Sequence, residues 1–216
     1  MIDQHAATNP LMAGLVDEQV AQPCTLVIFG GGGDLSKRKL LPAMYNQALD
    51  GALPANVALL GVALEPMDDD AFRDFARDGV ERFSRQALDP DHWGDFERLL
   101  HYQSGSFDDP ETYRCLKQRL EEIEPAFGIP GNRVFYLAVP PAMIGICVEQ
   151  LNAAGLVYPS GGNHPFSRII VEKPIGHDLE SAREVNNVLG RNFDESQIYR
   201  SDHYLGKEKV QKHLVM

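Results

Sequence analysis

Short apolar, β-rich runs alternate with longer amphipathic stretches along most of this chain, and no other feature constrains its fold as tightly. The runs are "CTLVIF" (24–29), "VALLGV" (57–62), "LHYQSG" (100–105), "RVFYLAV" (133–139), "SRIIVE" (167–172) and "QIYRS" (197–201). Between them the apolar spacing predicts helices over 36–50, 69–84, 110–123, 141–154 and 179–190, with a further one starting near 206. A helix between two strands carries the chain back to the same end of the sheet, so such strands run parallel. The expected class is α/β, a doubly wound parallel sheet covered on both faces. Local punctuation agrees. Asp109 before Pro110, and Pro140 before Pro141, put a cap or a fixed φ at a first helical turn. The run "LVYPSGGNHPFS" interrupts the pattern with Gly and Pro and reads as a surface connection.

Composition narrows the function by exclusion. A chain of 216 residues with 44% hydrophobic and 24% charged residues can bury one sizeable core. No apolar run approaches the roughly 20 residues that a membrane span needs, so no membrane role is expected. The net charge of -11 opposes sequence-independent attraction to phosphate backbones, so no nucleic-acid partner is expected either. Cys24, Cys115 and Cys147 are too few and too scattered for a disulfide framework or a metal quartet, and no metal is expected. Residues 1–22 read as a flexible tail: they lack the basic segment and long apolar stretch of a secretory signal, which points to the cytoplasm.

The turn after the first run reads "VIFGGGGDLSKRKLLPAMYNQAL". Glycines between a strand and a helix remove the Cβ atoms and permit positive φ, so backbone N–H groups can approach a phosphate at the helix N-terminus. With the β-α alternation the sheet reads as Rossmann-like and a pyrophosphate would fit the turn, with a tight connection that holds no ligand as the other reading. The strict G-x-G-x-x-G spacing is not met, because Leu35 stands at the sixth position from Gly30. On the glycines alone, a tight connection with no ligand stays open. A Walker loop is disfavoured, since Lys37 follows Ser36 and not a glycine. At the end of the second strand, "LLGVALEP" places Glu65 roughly 30 residues after the glycines, where the simple fingerprint has an acid at about 20. Its carboxylate would accept hydrogen bonds from ribose hydroxyls and repel a 2′-phosphate. A solvated acid at the next helix start is the other reading.

Two polar clusters close the pattern. In "FSRIIVEKPIG", Pro174 pushes Lys173 away from helical backbone and is a candidate for a cis peptide, which fixes the lysine at the carboxyl end of a strand. Open α/β sheets bind their ligands at that end. In "YRSDHYLGKEKVQKHLVM", Asp202, His203, Tyr204 and Lys207 bring an acid, an imidazole, a phenol and an ammonium together just after the last strand.

Four segments in order, "GGGGDLSKRKL", "YLAVPP", "EKPIG" and "RSDHYLGKE", resemble the amino-terminal, coenzyme-binding part of glucose-6-phosphate dehydrogenase, over roughly residues 24–216. The resemblance implies oxidation of glucose 6-phosphate at C1 to the 6-phosphogluconolactone, the first oxidative step of the pentose phosphate pathway, with hydride passing to NADP or NAD. By the family's pattern Gly30, Gly31, Gly32, Gly33, Asp34 and Leu35 contact the dinucleotide. Lys39 and Lys173 stand near both cofactor and sugar, with Lys173 also catalytic. His203, Tyr204 and Lys207 grip the sugar phosphate, for which an ammonium and hydrogen-bond donors are suited. Asp202 is the catalytic partner that orients a histidine general base.

That base lies some sixty residues past the D-H pair in the family, in a second α+β domain. The resemblance therefore implies a tail (1–22), an NAD(P)-binding domain (23–200) and the truncated start of a substrate domain (201–216), with the isolated chain inactive. His213 stands where the family has an apolar or amide residue and is not promoted to base. The full-length family is expected to form homodimers or tetramers. Leu64 occupies the place where many NADP-using members carry an arginine, and Glu65 follows it, so NAD is expected to serve as well as NADP or better. The alternative is a non-catalytic dinucleotide-binding module, against which the intact Asp202, His203 and Lys207 argue.

Overall fold

The computed structural model describes residues 22–161 and 165–201, and all structural statements below concern these. Six parallel strands form one sheet in the order β3-β2-β1-β4-β5-β6. They are β1 (Cys24–Phe29), β2 (Val57–Ala63), β3 (Leu100–Ser104), β4 (Arg133–Leu137), β5 (Ser167–Glu172) and β6 (Ile198–Ser201). This is the doubly wound Rossmann-like arrangement that the alternation predicts.

Helices cover both faces: α1 (Leu41–Leu49), α2 (Asp69–Phe83), α3 (Pro90–Glu97), α4 (Pro110–Ala126), α5 (Pro141–Ala153) and α6 (Leu179–Asn192). Their starts are local chemistry. Asp68, Asp109 and Asp178 each accept a hydrogen bond from a first-turn N–H, and Asp178 exchanges bonds with Ser181 in a capping box. The stretch expected as one helix over 36–50 is instead a π-helical segment, Ser36–Leu40, running into α1.

One helix escaped the sequence reading. α3 has only eight residues, and its buried side chains are Trp93 and Phe96, too few for a period to show. Its signal was present in Asp89-Pro90, the same cap-and-proline start as Asp109-Pro110. The first residue of the expected last strand, Gln197, belongs to a short 3-10 turn, Glu195–Gln197.

Period-2 alternation divides the core. Ala58, Leu60 and Val62 of β2 face Tyr113, Leu116, Cys147 and Leu151 on one side. Val57, Leu59 and Ala63 face Leu41, Tyr45, Phe72 and Trp93 on the other. Every residue of β2 is buried, as expected for a parallel strand covered twice. Each large apolar side chain removed from water in this way stabilises the fold by about 1.5–3 kcal/mol. No helix of the described residues is long and apolar enough to cross a membrane.

Candidate functional site

The crossovers from β1 and β4 leave in opposite directions, which opens a crevice at the carboxyl ends of these two neighbours. The glycine turn lies there. Gly30 has φ of +85°, and a Cβ on it would collide with the carbonyl oxygen of Ala138 just past β4. The Ala138 N–H in turn donates to the Phe29 carbonyl at 2.9 Å, so "GGGG" and "YLAVPP" lie side by side. On the opposite flank a Cβ on Gly31 would stand 2.5 Å from the Cα of Gly61 in β2.

The turn's N–H groups divide by role. Gly30 and Gly31 both donate to the Val62 carbonyl, at 2.8 and 3.2 Å, and Gly33 donates to the Gly30 carbonyl at 2.9 Å. These three glycines shape the turn and admit close approach, while their N–H groups are engaged. Those of Gly32, Asp34, Leu35 and Ser36 find no backbone acceptor among the described residues. Gly32 ends the turn, and Asp34, Leu35 and Ser36 open the helical segment, where unpaired donors and the helix dipole favour an anion. The Ser36 hydroxyl is fully buried beside them and has no partner among the described residues. A cradle emptied of Cβ atoms with unpaired donors at its floor fits a dinucleotide pyrophosphate.

The sequence-predicted residues around the turn follow sheet order. Glu65 lies past β2, with its carboxylate turned toward Gly32, and Leu64 beside it is 64% exposed. Asp34 is exposed at the helix start, 3.8 Å from Arg38. Lys39 is exposed on the π-helical segment, whereas Lys37 pairs with Asp78 at 2.6 Å and lies over the Phe75 ring. Lys173 follows β5, joined to Pro174 by a cis peptide bond, and its N–H donates to the Ser201 carbonyl at 3.0 Å. The EKPIG turn and the start of the last motif are therefore adjacent. Asp202, His203, Tyr204, Lys207 and the helix expected near 206 lie outside the described residues.

Sequence reasoning missed the supports. Tyr136 donates its hydroxyl to the Glu172 carboxylate, and Tyr102 donates to the Glu65 carbonyl at 2.9 Å. Burial, with Glu65 adding to it, pushes the Tyr102 phenol up to about 12, so it remains a donor at neutral pH. Neither tyrosine had a sequence signal, because each bridges positions more than thirty residues apart. Among the described residues no group of three or more His, Cys, Asp or Glu is placed to hold a metal ion.

The sequence profile of "Glucose-6-phosphate dehydrogenase, NAD binding domain" matches residues 27–212. The chain belongs to the glucose-6-phosphate dehydrogenase family. Its matched part is the NAD-binding domain of that family, which uses NADP or NAD. It is 40% identical over 201 residues to the glucose-6-phosphate 1-dehydrogenase of Chlamydia pneumoniae, covering 93% of this chain and 39% of that protein. A structure of glucose-6-phosphate dehydrogenase in complex with its substrate glucose-6-phosphate superposes with a TM-score of 0.75 at 33% identity, over 92% of this chain and 40% of that one. The glucose-6-phosphate 1-dehydrogenase of Mycobacterium avium superposes with a TM-score of 0.72 at 30% identity, over 88% and 41%. The chain thus spans about two fifths of the length of the glucose-6-phosphate dehydrogenases it matches.

Proposed function

We propose that residues 23–200 are the dinucleotide-binding domain of a glucose-6-phosphate dehydrogenase of the cytoplasm, and that residues 201–216 begin its sugar-phosphate site. One observation carries the reading. The Lys173 N–H to Ser201 carbonyl bond sets the EKPIG turn against the first residue before Asp202, on the same sheet edge as the glycine turn.

In this reading the dinucleotide lies across the carboxyl edge, with its pyrophosphate over Gly32 and the Asp34–Ser36 donors. When bound, it supplies a nicotinamide ring able to accept hydride. Lys173 at the end of β5, with Lys39, holds the sugar against that ring. His203, Tyr204 and Lys207 replace water around the phosphate dianion. Asp202 keeps a histidine base oriented to remove the C1 hydroxyl proton, while the C1–H bond breaks with its electron pair and C1=O forms to give the lactone. Fixing the two reactants in register lowers the entropic part of the barrier. The reaction is the first oxidative step of the pentose phosphate pathway.

In this reading the base comes from the second domain that the family pattern implies, so binding is the property to measure on these 216 residues. Titration calorimetry with NAD and NADP is expected to show one saturable site. Addition of glucose 6-phosphate to the same protein separates this reading from a non-catalytic dinucleotide module. A site responsive to the sugar phosphate, and weakened by Lys207→Ala, supports the dehydrogenase. Dinucleotide binding with no sugar-phosphate response supports the module, and a folded protein that binds neither overturns both.

A further inference from the structure

The segment from the end of β2 to the start of α2, "ALEPMDDD" (63–70), carries four carboxylates and no lysine or arginine. Three of the four are engaged. Asp68 accepts from the Ala71 N–H at 2.8 Å, capping α2. Asp69 accepts from the Tyr102 N–H at 2.8 Å and from the Arg119 guanidinium. Asp70 pairs with Arg73 at 2.6 Å.

Glu65 is different. Its carboxylate has no hydrogen-bond or ion-pair partner among the described residues. It faces the glycine turn instead: a Cβ on Gly32 would lie 2.8 Å from Oε2. Its backbone is held there twice, because the Glu65 carbonyl accepts from the Tyr102 hydroxyl at 2.9 Å and from the Met67 N–H at 3.0 Å. A carboxylate over the second strand's end, facing the glycines, is placed to accept from adenosine ribose hydroxyls.

Of the three basic residues at the helix start, two are engaged, and Lys39 is exposed on the same segment. Lys37 is tied to Asp78 and to the Phe75 ring, and Arg38 lies over the Phe83 ring, 3.8 Å from Asp34. Leu64, exposed beside Glu65, presents an apolar surface where a 2′-phosphate would need a cation.

We propose that Glu65 selects NAD over NADP, its carboxylate accepting hydrogen bonds from the adenosine ribose hydroxyls and repelling a 2′-phosphate, with the apolar Leu64 next to it in the chain. The proposal rests on the glycine turn being the pyrophosphate site. Because Glu65 is exposed, its repulsion is screened by salt, and the preference should grow as ionic strength falls.

The test is calorimetric titration of the 216-residue protein with NAD and with NADP, at low and at physiological salt. NAD is expected to bind at least tenfold more tightly. Glu65→Gln keeps an acceptor but removes the charge, and should bring the two affinities within about threefold, chiefly by strengthening NADP. Leu64→Arg should tighten NADP further and leave NAD little changed. Wild-type affinity for NADP equal to or tighter than that for NAD overturns the proposal, as does a ratio that Glu65→Gln leaves unmoved. If a protein shown by circular dichroism to be folded binds neither dinucleotide, the pyrophosphate reading itself fails and the assignment of Glu65 falls with it.

Discussion

Gly31 and Gly61 meet back to back: a Cβ on Gly31 would stand 2.5 Å from the Cα of Gly61. Gly61 is itself hemmed from the other side, since its own Cβ would stand 2.8 Å from the Phe72 ring and 3.1 Å from that of Tyr102. The glycine turn, the middle of β2 and the aromatic cluster under α2 thus share one close approach. Gly31→Ala must push the turn outward and is expected to lower dinucleotide affinity at least tenfold by titration, about 1.4 kcal/mol. Gly61→Ala, which overfills a packed core, is expected to cost about 1–3 kcal/mol in urea unfolding. Unchanged affinity in Gly31→Ala would show that the turn does not hold the ligand.

A second prediction concerns Glu124 of α4 and Arg133 of β4. Their side chains are only 8% and 4% exposed, and form two bonds, Nε to Oε1 at 2.7 Å and Nη2 to Oε2 at 3.0 Å. Burial disfavours the guanidinium charge, but the carboxylate more than offsets this and holds Arg133 above its usual range. Glu124→Ala would strand a buried cation. The expected loss is about 3–5 kcal/mol, measured by urea unfolding at neutral pH. Replacing both residues with methionine is expected to cost much less, because a buried pair exchanged for apolar side chains leaves no unpaired charge.

Acid sensitivity follows from His101. Its Nδ1 lies 3.3 Å from Asp69 Oδ2, an oxygen that also accepts from Arg119, and its Nε2 is buried without a partner among the described residues. Burial lowers the imidazole pKa, outweighing the attraction of Asp69, with Arg119 and Arg73 adding to the decrease. For Asp69, burial acts upward but is outweighed by the Tyr102 N–H, Arg119 and His101, so its carboxyl is held low. Below the unfolded value of about 6.5 for histidine, the unfolded chain binds a proton that folded His101 refuses. Stability should therefore fall from pH 7 to pH 5. The Asp69 contribution, present above about 3.9, should be lost at lower pH still. His101→Gln is expected to flatten the dependence between pH 7 and 5, read as the urea midpoint at each pH. A slope equal to wild type would exclude His101 as its source.

The fourth prediction tests the support of the EKPIG turn. Tyr136 donates to Glu172, the residue before Lys173. Burial, and then the carboxylate, raise the Tyr136 phenol above its ordinary value, so it stays a donor throughout the working range. Tyr136→Phe leaves the ring and removes that donor. It is expected to cost about 1–2 kcal/mol and to weaken binding of the nicotinamide half more than of ADP alone. An equal loss for both ligands would place the effect in general stability.

The sequence by itself determined the elements, and it did so because their causes are local. The apolar run "CTLVIF", the alternating burial along "RVFYL", and Asp-Pro or Asp-to-Ser pairs at helix starts act within a few residues and are readable in order. Eight-residue α3 was lost for the same reason, since two buried aromatics make no period. The motifs at the carboxyl ends of β1, β4 and β5 were legible as well, through their glycines, prolines and charges. Only the tertiary structure decided which strand lies beside which, that the Gly30 and Gly31 N–H groups serve Val62 while that of Gly32 stays unpaired, and that Glu65 faces Gly32. It also joined Lys173 to Ser201, and Glu124 to Arg133. These relationships cross strands and layers, so they depend on how the whole chain minimises exposed apolar surface and unpaired polar groups, a condition that no short stretch carries alone.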